Sequence, residues 1–453
     1  MGAEKINTGF IRSDFLKNVG IIFSSTFVAQ IIAFFAQPML TRWYPNPEVH
    51  GALTNFMAMV SIATVVAALQ FDQAIIIEND RSKARSLVKL ASLITLVFSA
   101  LSMVIVVVFY NTICQKFLLT DSAPWLYWVP PTIFAIALME ILLVWWNRER
   151  KYQKMASNRI LGMSVGTGYK LLHPNFSASF FSFNGLIAGQ VLGSFVQAVL
   201  LLPKNLSQHL HFQLSELKIL AKQYRSFATL ATPSALINML GSYLPVFLIT
   251  LLFSQADTGF FGNANKLTFI PLSAISYALG SVYFERLSRL RNEDEQRKKL
   301  SKSSLNFMYA IALLPVVILT VWGDSLVPWY LGQGWEEAGK MVQILVGFYF
   351  IIYLSSPFSA AFEVYSELKA QLVFTSIFTI GIFTAFVGSY AYEHSLLQSL
   401  LWMAVIGSMV RLVMLLYCFR LLKTNILRNI VLGLLVWVSL TLIGFWIKNG
   451  NLL

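Results

Sequence analysis

The sequence predicts an all-α polytopic membrane protein: two pseudo-symmetric six-helix bundles related as parallel repeats, followed by a thirteenth helix. Three observations carry that prediction. Of 453 residues, 57% are hydrophobic and 12% are charged, about half the charged share of an ordinary soluble domain. Apolar stretches of roughly 20 residues, the length that crosses a hydrocarbon core, recur along the whole chain and leave no run for a separate soluble domain. Short sequences of the first half also return in the second at a near-constant offset.

Hydropathy places spans near 18–42, 51–77, 86–110, 124–146, 155–173, 180–202, 227–253, 259–284, 304–331, 338–361, 369–391, 395–420 and 426–447. The first follows basic residues, as in a signal peptide, but its apolar run continues to Thr41 without a small-residue cleavage site, so it reads as a retained helix. The fifth, "MASNRILGMSVGTGYKLLH", is Gly-rich and carries two cations. Pro38, Pro130, Pro131, Pro245, Pro271, Pro315 and Pro357 fall inside spans, where each removes a backbone hydrogen bond and permits bending.

Charge sets the orientation. One set of loops contains "NDRSKARSLVK", "NRERKYQK", "ELKILAKQYR", "ERLSRLRNEDEQRKKLSK" and "FRLLKTNILRN". The alternate set ("YPNPEVH", "NTICQKFLLTDSAP", "HPNFSAS", "SQADTG", "GQGWEEAGK", "YEHS") is nearly free of Lys and Arg. Positive residues concentrate on the cytoplasmic side, which puts the N-terminus inside and the C-terminus outside. The net charge of +13 is thereby explained by basic cytoplasmic loops, with no nucleic-acid partner. Cys114 and Cys418 fall on opposite sides, which excludes a disulfide framework or Cys metal site.

Between the halves runs "NLSQHLHFQLSELKILAKQYR", where Leu214, Leu217 and Leu220 recur at i, i+3, i+6; this suits a helix lying on the inner membrane surface. The predicted domains are therefore 1–203, a linker 204–225, a second bundle 226–424 and an additional helix 425–453. "VLGSFVQAV" from Val191 matches "VIGSMVRLV" from Val405 at five of nine positions, offset by 214. "HGALTNF" from His50 and "TGFFGNA" from Thr258 share Gly and Asn at an offset of 208, pairing Asn55 with Asn263. Parallel six-helix halves are a transporter arrangement, with substrate held between repeats that rock.

"PMLTRWYPNPEVHGALTNFMAMVSI" with "LQFDQAII", the long stretch "TPSALINMLGSYLPVFLITLLFSQADTGFFGNANKLTFIPLSAISYALGSVYFER", and "GQGWEEAGKMVQIL" with "SSPFSAAFEV" resemble the Wzx-type lipid-linked oligosaccharide flippases. These belong to the superfamily (MOP) that also holds lipid II flippases and drug/cation antiporters. The resemblance covers most of residues 18–422. It implies two six-helix bundles forming a V around a central cavity. It also implies a substrate that is a short glycan of an O-antigen, capsule or exopolysaccharide on undecaprenyl diphosphate, moved to the outer leaflet of a bacterial inner membrane. Membrane lipids and other polysaccharide-assembly proteins are the implied partners. The thirteenth span departs from the usual twelve.

Charges inside spans are the candidate site residues. Lys266 stands about 10 Å into its helix from Gly259, one turn from Asn263 and on its face. Either its stem snorkels to the interface, or it faces a cavity, where a cation and a carboxamide together suit a diphosphate or sugar hydroxyls. Related flippases carry an Arg or Lys after this Asn. Arg411 lies mid-span, where a charge costs about 2.5–3.5 kcal/mol on insertion scales, so it predicts an interhelical ion pair or a substrate contact. Arg42 closes the first span beside aromatic residues, as an interfacial anchor or outer-gate residue. Arg159 and Lys170, eleven apart on the fifth span, share a face, and with "GMSVGTG" they read as a cavity wall, with snorkelling from the two ends of the span as the alternative. Asn55 completes the polar set.

Asp72 and Glu140, each about 9 Å from the inner end of its span, are candidates for ion coupling, with a salt bridge as the plainer alternative. Coupling to H⁺ or Na⁺, or drive by the membrane potential alone, all suit an exported dianion. Glu78, Glu285 and Glu363 read as interfacial, and Asp324 as a local cap or gate. No Walker-type loop or metal-ligand spacing appears, so the reading is a transporter without cofactor or enzyme site. A drug antiporter would want a negative cavity, whereas these candidates lean positive. A glycan polymerase or ligase would want a longer outer loop than residues 111–123.

Overall fold

The computed structural model of the chain describes residues 8–116, 123–173, 184–203, 214–291, 293–424 and 427–449. Every regular element among them is helical. In order they are α1 (Thr8–Trp43), α2 (Pro47–Ala67), α3 (Phe71–Ile77), α4 (Arg81–Lys116), α5 (Val129–Arg148), α6 (Tyr152–Leu172), α7 (Gly185–Leu201) and α8 (Leu214–Gln223). There follow α9 (Thr232–Leu252), α10 (Gln255–Arg289), α11 (Asp294–Leu331), α12 (Glu336–Ser355), α13 (Ala360–Val364), α14 (Leu368–Glu393), α15 (Leu396–Leu421) and α16 (Leu427–Lys448). All thirteen predicted places hold a helix, and among the described residues ten are long and apolar enough to cross a membrane. α1, α6 with its glycines and cations, and α7 with only 17 residues fall outside that set.

Local chemistry starts and stops these helices. The Asn184 side chain accepts from the backbone N–H of Leu186 and Ile187 at 2.9 and 3.3 Å, capping α7, and Ser254 accepts from Asp257 N–H at 3.0 Å, capping α10. Pro130 and Pro131 do not bend a helix. They occupy the first turn of α5, where a missing N–H costs nothing. Pro38, Pro245, Pro271 and Pro315 do sit inside helices, and Pro357 opens a short 3₁₀ turn between α12 and α13.

The predicted span 51–77 is corrected: it is two helices, broken where Leu69 and Gln70 take φ of 48° and 56°. No glycine or proline marks this left-handed step. Side chains stabilise it instead, because the hydroxyl of buried Thr95 donates to the Ala67 carbonyl (3.3 Å) and the Gln70 amide to the Val65 carbonyl (3.2 Å), covering acceptors that a helix end leaves open. Arg148 then donates to the carbonyls of Ile75, Glu78 and Asn79, placing a cation at the C-terminus of α3.

The chain divides into two compact units. One comprises Met1–Tyr44 with Ala52–Tyr243, the other Pro45–Gly51 with Leu244–Leu453. In the first unit, Phe71, Ala74 and Ile75 of α3 pack with Ala84, Leu87 and Ala91 of α4 and with Ile141 and Trp145 of α5. Leu217 and Leu220 of α8 belong to the same cluster. The linker helix therefore turns Leu217 and Leu220 onto the α3–α4–α5 cluster, where their apolar surface is buried. Residues 204–213 of the predicted linker lie outside the described residues.

Glu78 fastens the far end of α8, which corrects its reading as an interfacial residue. Its carboxylate accepts from Asp80 N–H and from the Tyr224 hydroxyl, both at 2.9 Å. Those two donors hold the Glu78 carboxyl below the usual carboxylate range. A depressed pKa means that this contribution is complete above about pH 4.3 and is lost as pH falls from there through the folded-state value. Hydrogen exchange over 214–223, corrected for intrinsic rates, should lose protection on acidification in the wild type. In Glu78→Ala it should be weakened already at pH 7 and respond little to acid; an acid response unchanged by the substitution would refute the link.

In the second unit α12 is central: 72% of the residues in the apolar 18-residue core of Glu336–Val364 are buried, against 11% for Arg428–Lys448. The peripheral α16, whose 22 residues reach about 33 Å, is tied to α11 at its end. Lys448 Nζ sits 2.5 Å from Asp324 Oδ2 and donates to the Val321 carbonyl at 3.0 Å. Asp324 is thus the anchor of the thirteenth helix, which replaces its reading as a cap or gate.

Candidate functional site

Lys266 and Arg411 of the second unit make no ion pair among the described residues. Lys266, half-buried on α10, has no carboxylate within ion-pair distance among the described residues. The pairing with Asn263 is not formed. Asn263 is 1% exposed, and its amide donates to the Gly259 carbonyl of the preceding turn at 3.1 Å. The i, i+3 spacing holds, but the Asn263 side chain is taken up in packing the start of α10. Arg411 on α15 makes no interhelical ion pair among the described residues. Its guanidinium carbon lies 4.4 Å from the centre of the Phe378 ring, so an aromatic face takes the place of a carboxylate, and its Nε is buried without a hydrogen-bond partner.

In the first unit the predicted cavity wall on α6 resolves differently. Arg159 is exposed and donates to Thr26 Oγ1 of α1, whereas Lys170 donates to Gln190 Oε1 of α7 at 3.0 Å. Both start from one face, but α1 and α7 flank that face and draw the long side chains apart. The small residues between them serve helix packing. A Cβ on Gly166 would lie 2.8 Å from the Gly189 carbonyl oxygen and 3.3 Å from Gly193 Cα, so Gly162, Gly166, Gly189 and Gly193 form facing small-xxx-small seams. That spacing was visible in the sequence. Asn55 is buried, and Arg42 is exposed and turns back to donate to the Pro38 carbonyl at 3.3 Å.

The two carboxylates are brought together. Asp72, in the first turn of α3, and Glu140, on α5, line one cavity of about 50 Å³ with Thr64, Val65, Ala68, Gln70, Ala137 and Ile141. Neither is ion-paired among the described residues, so the salt bridge weighed from sequence does not form there. The helix break at Leu69–Gln70 makes this meeting, because it ends α2 beside the cavity and restarts the chain with Asp72 pointing along a new axis. Thr64 and Gln70 carry no signal in the sequence. Nor does Arg297, hidden in a basic loop sequence yet 2% exposed; it donates to the carbonyls of Leu422 (2.8 Å) and Arg291 (2.7 Å) and pairs with Asp294 (2.5 Å). Among the described residues no group of three His, Cys, Asp or Glu could hold a metal ion.

This helical arrangement is shared with solved transporters. A lipid II flippase MurJ in an inward closed conformation matches with a TM-score of 0.70 at 12% identity, over 95% of this chain and 99% of that one. An inward-facing multidrug resistance MATE transporter of the MOP superfamily matches at 0.62 and 14% identity, over 87% and 94%. A mutant of the Vibrio cholerae MATE transporter VcmN matches at 0.57 and 12% identity, over 92% and 99%. At these identities the likeness is one of fold. No curated protein sequence matches the chain. The family described as "Polysaccharide biosynthesis protein" matches residues 39–340, from the end of α1 into α12. A multi-pass membrane chain with the fold of MOP-superfamily flippases and transporters, matched over most of its length by that family, belongs to the polysaccharide biosynthesis proteins.

Proposed function

We propose that this protein moves an undecaprenyl-diphosphate-linked oligosaccharide from the cytoplasmic to the outer leaflet of a bacterial plasma membrane, exposing one binding site to the two leaflets in turn. The observation that carries the reading is that Lys266 and Arg411 lie within apolar helices without a carboxylate partner among the described residues. A cation held inside a membrane span is costly unless something compensates it, and a diphosphate arriving with the substrate supplies that charge. Arg42, Asn55, Arg159 and Lys170 of the first unit and Asn263 of the second remain candidates for glycan or phosphate contacts. The N-terminus is cytoplasmic in this reading and the C-terminus extracytoplasmic. The family match to polysaccharide biosynthesis and the MurJ-like fold support a lipid-linked substrate.

The test uses purified protein in liposomes containing fluorescent undecaprenyl-diphosphate oligosaccharide. Wild type should make the label accessible from the opposite leaflet, and Lys266→Gln should slow this at least about tenfold, the equivalent of roughly 1.4 kcal/mol. Transfer that survives in Lys266→Gln would remove the lysine from the site and leave the flippase. Absence of transfer with several glycans, together with uptake of an organic cation, would make the protein an antiporter.

A further inference from the structure

We infer that the cavity between α2, α3 and α5 of the first unit is a binding site for a monovalent metal cation, sodium, held by the carboxylates of Asp72 and Glu140 and the hydroxyl of Thr64, beside Gln70, whose side-chain oxygen accepts from the Gln73 amide. The inference deepens the transport reading above, since an ion bound there is a means of coupling, but it rests on geometry of its own.

Two unpaired carboxylates face one small space, and no Lys or Arg lines it. Unpaired acidic groups inside a membrane protein are retained where they meet a counter-charge. The second, independent observation is Thr64. Its residue is 5% exposed, it lines the same cavity, and its Oγ1 is buried without a hydrogen-bond partner. An oxygen buried in that way costs about 1–3 kcal/mol unless a donor or a cation occupies the space before it. The C-terminal end of α2 also borders the cavity, adding the negative end of a helix dipole. An unwound segment within a broken span, here Ala68–Gln70, is where transporters place cation sites.

The chemistry selects the ion. All the donors are oxygens, which suits a hard cation. A proton needs one carboxylate, whereas this cavity gathers two carboxylates and an unpartnered hydroxyl. A volume of about 50 Å³ has room for an ion and two or three waters, less than the several waters Mg²⁺ keeps or the six to eight oxygens Ca²⁺ takes. Sodium neutralises one of the two charges.

Equilibrium binding of ²²Na⁺ to the purified full-length protein tests this without substrate. Wild type should show one saturable site. Asp72→Asn and Glu140→Gln should each weaken it at least about tenfold, and the double substitution should abolish it. Thr64→Val, which keeps shape and removes the oxygen, should weaken it several-fold, while Thr64→Ser should retain it. Each variant is read alongside its elution as a folded, monodisperse species, and the pair of Thr64 variants keeps the test valid if a carboxamide variant misfolds. No saturable binding in wild type, binding unchanged in the variants, or displacement by equimolar Ca²⁺ would overturn the inference. Sodium binding without glycolipid transfer would sink the flippase reading and leave this site. Transfer without sodium binding would do the reverse.

Discussion

Arg297→Met is expected to destabilise the second unit by about 3 kcal/mol or more, read as a fall in the thermal unfolding midpoint in detergent. Arg297 is buried to 2% exposure yet charged, and its stability in that place rests on three oxygens: the carbonyls of Leu422 and Arg291 and the Asp294 carboxylate. Methionine fills a similar volume but donates nothing. Two backbone carbonyls near the ends of α15 and α10 then lose their donor, at about 1–3 kcal/mol each, and Asp294 loses its partner. The residue joins the start of α11 to the exit of α15, so the loss should register first as faster exchange around Leu422. A midpoint within about a degree of wild type would show that solvent or lipid headgroups replace the guanidinium freely.

The second large effect is expected at two glycines. A Cβ on Gly51 would lie 1.9 Å from the Gln255 carbonyl oxygen, and one on Gly259 would lie 2.0 Å from the Pro47 carbonyl oxygen. The first turns of α2 and α10 cross backbone to backbone, and Gln255 Nε2 also donates to the Glu48 carbonyl at 3.0 Å. Overpacking in a core usually costs about 1–3 kcal/mol because side chains shift. Here the obstacle is backbone on both sides, so Gly51→Val and Gly259→Val should each cost at least that, and the pair should be far from additive because both open the same crossing. Independent, additive losses would show that the two turns separate without cost. These are the glycines of "HGALTNF" and "TGFFGNA", so the residue the two copies share is one that close backbone approach requires.

Composition, the spacing of apolar runs and the asymmetry of Lys and Arg were enough to place thirteen helices, since membrane insertion depends on local hydrophobicity over about 20 residues. The same local signal located every charged residue that interrupts a span, among them Asp72, Glu140, Lys266 and Arg411. Partners were another matter. A side chain's neighbour across helices is set by crossing geometry that no periodicity encodes, so Arg159 and Lys170 share a face and still reach to different helices, and Asn263 and Lys266 part company one turn from each other. The left-handed step at Leu69–Gln70 has no glycine to announce it, because its carbonyls are capped by Thr95, 28 residues on, and by Gln70 itself. That step is what brings Asp72 and Thr64 into one cavity with Glu140. The sequence by itself determined which elements form and where charge is buried within them. Only the tertiary structure decided which of those charges meet, because such contacts arise between residues far apart in the chain, at distances of a few ångströms fixed by backbone packing.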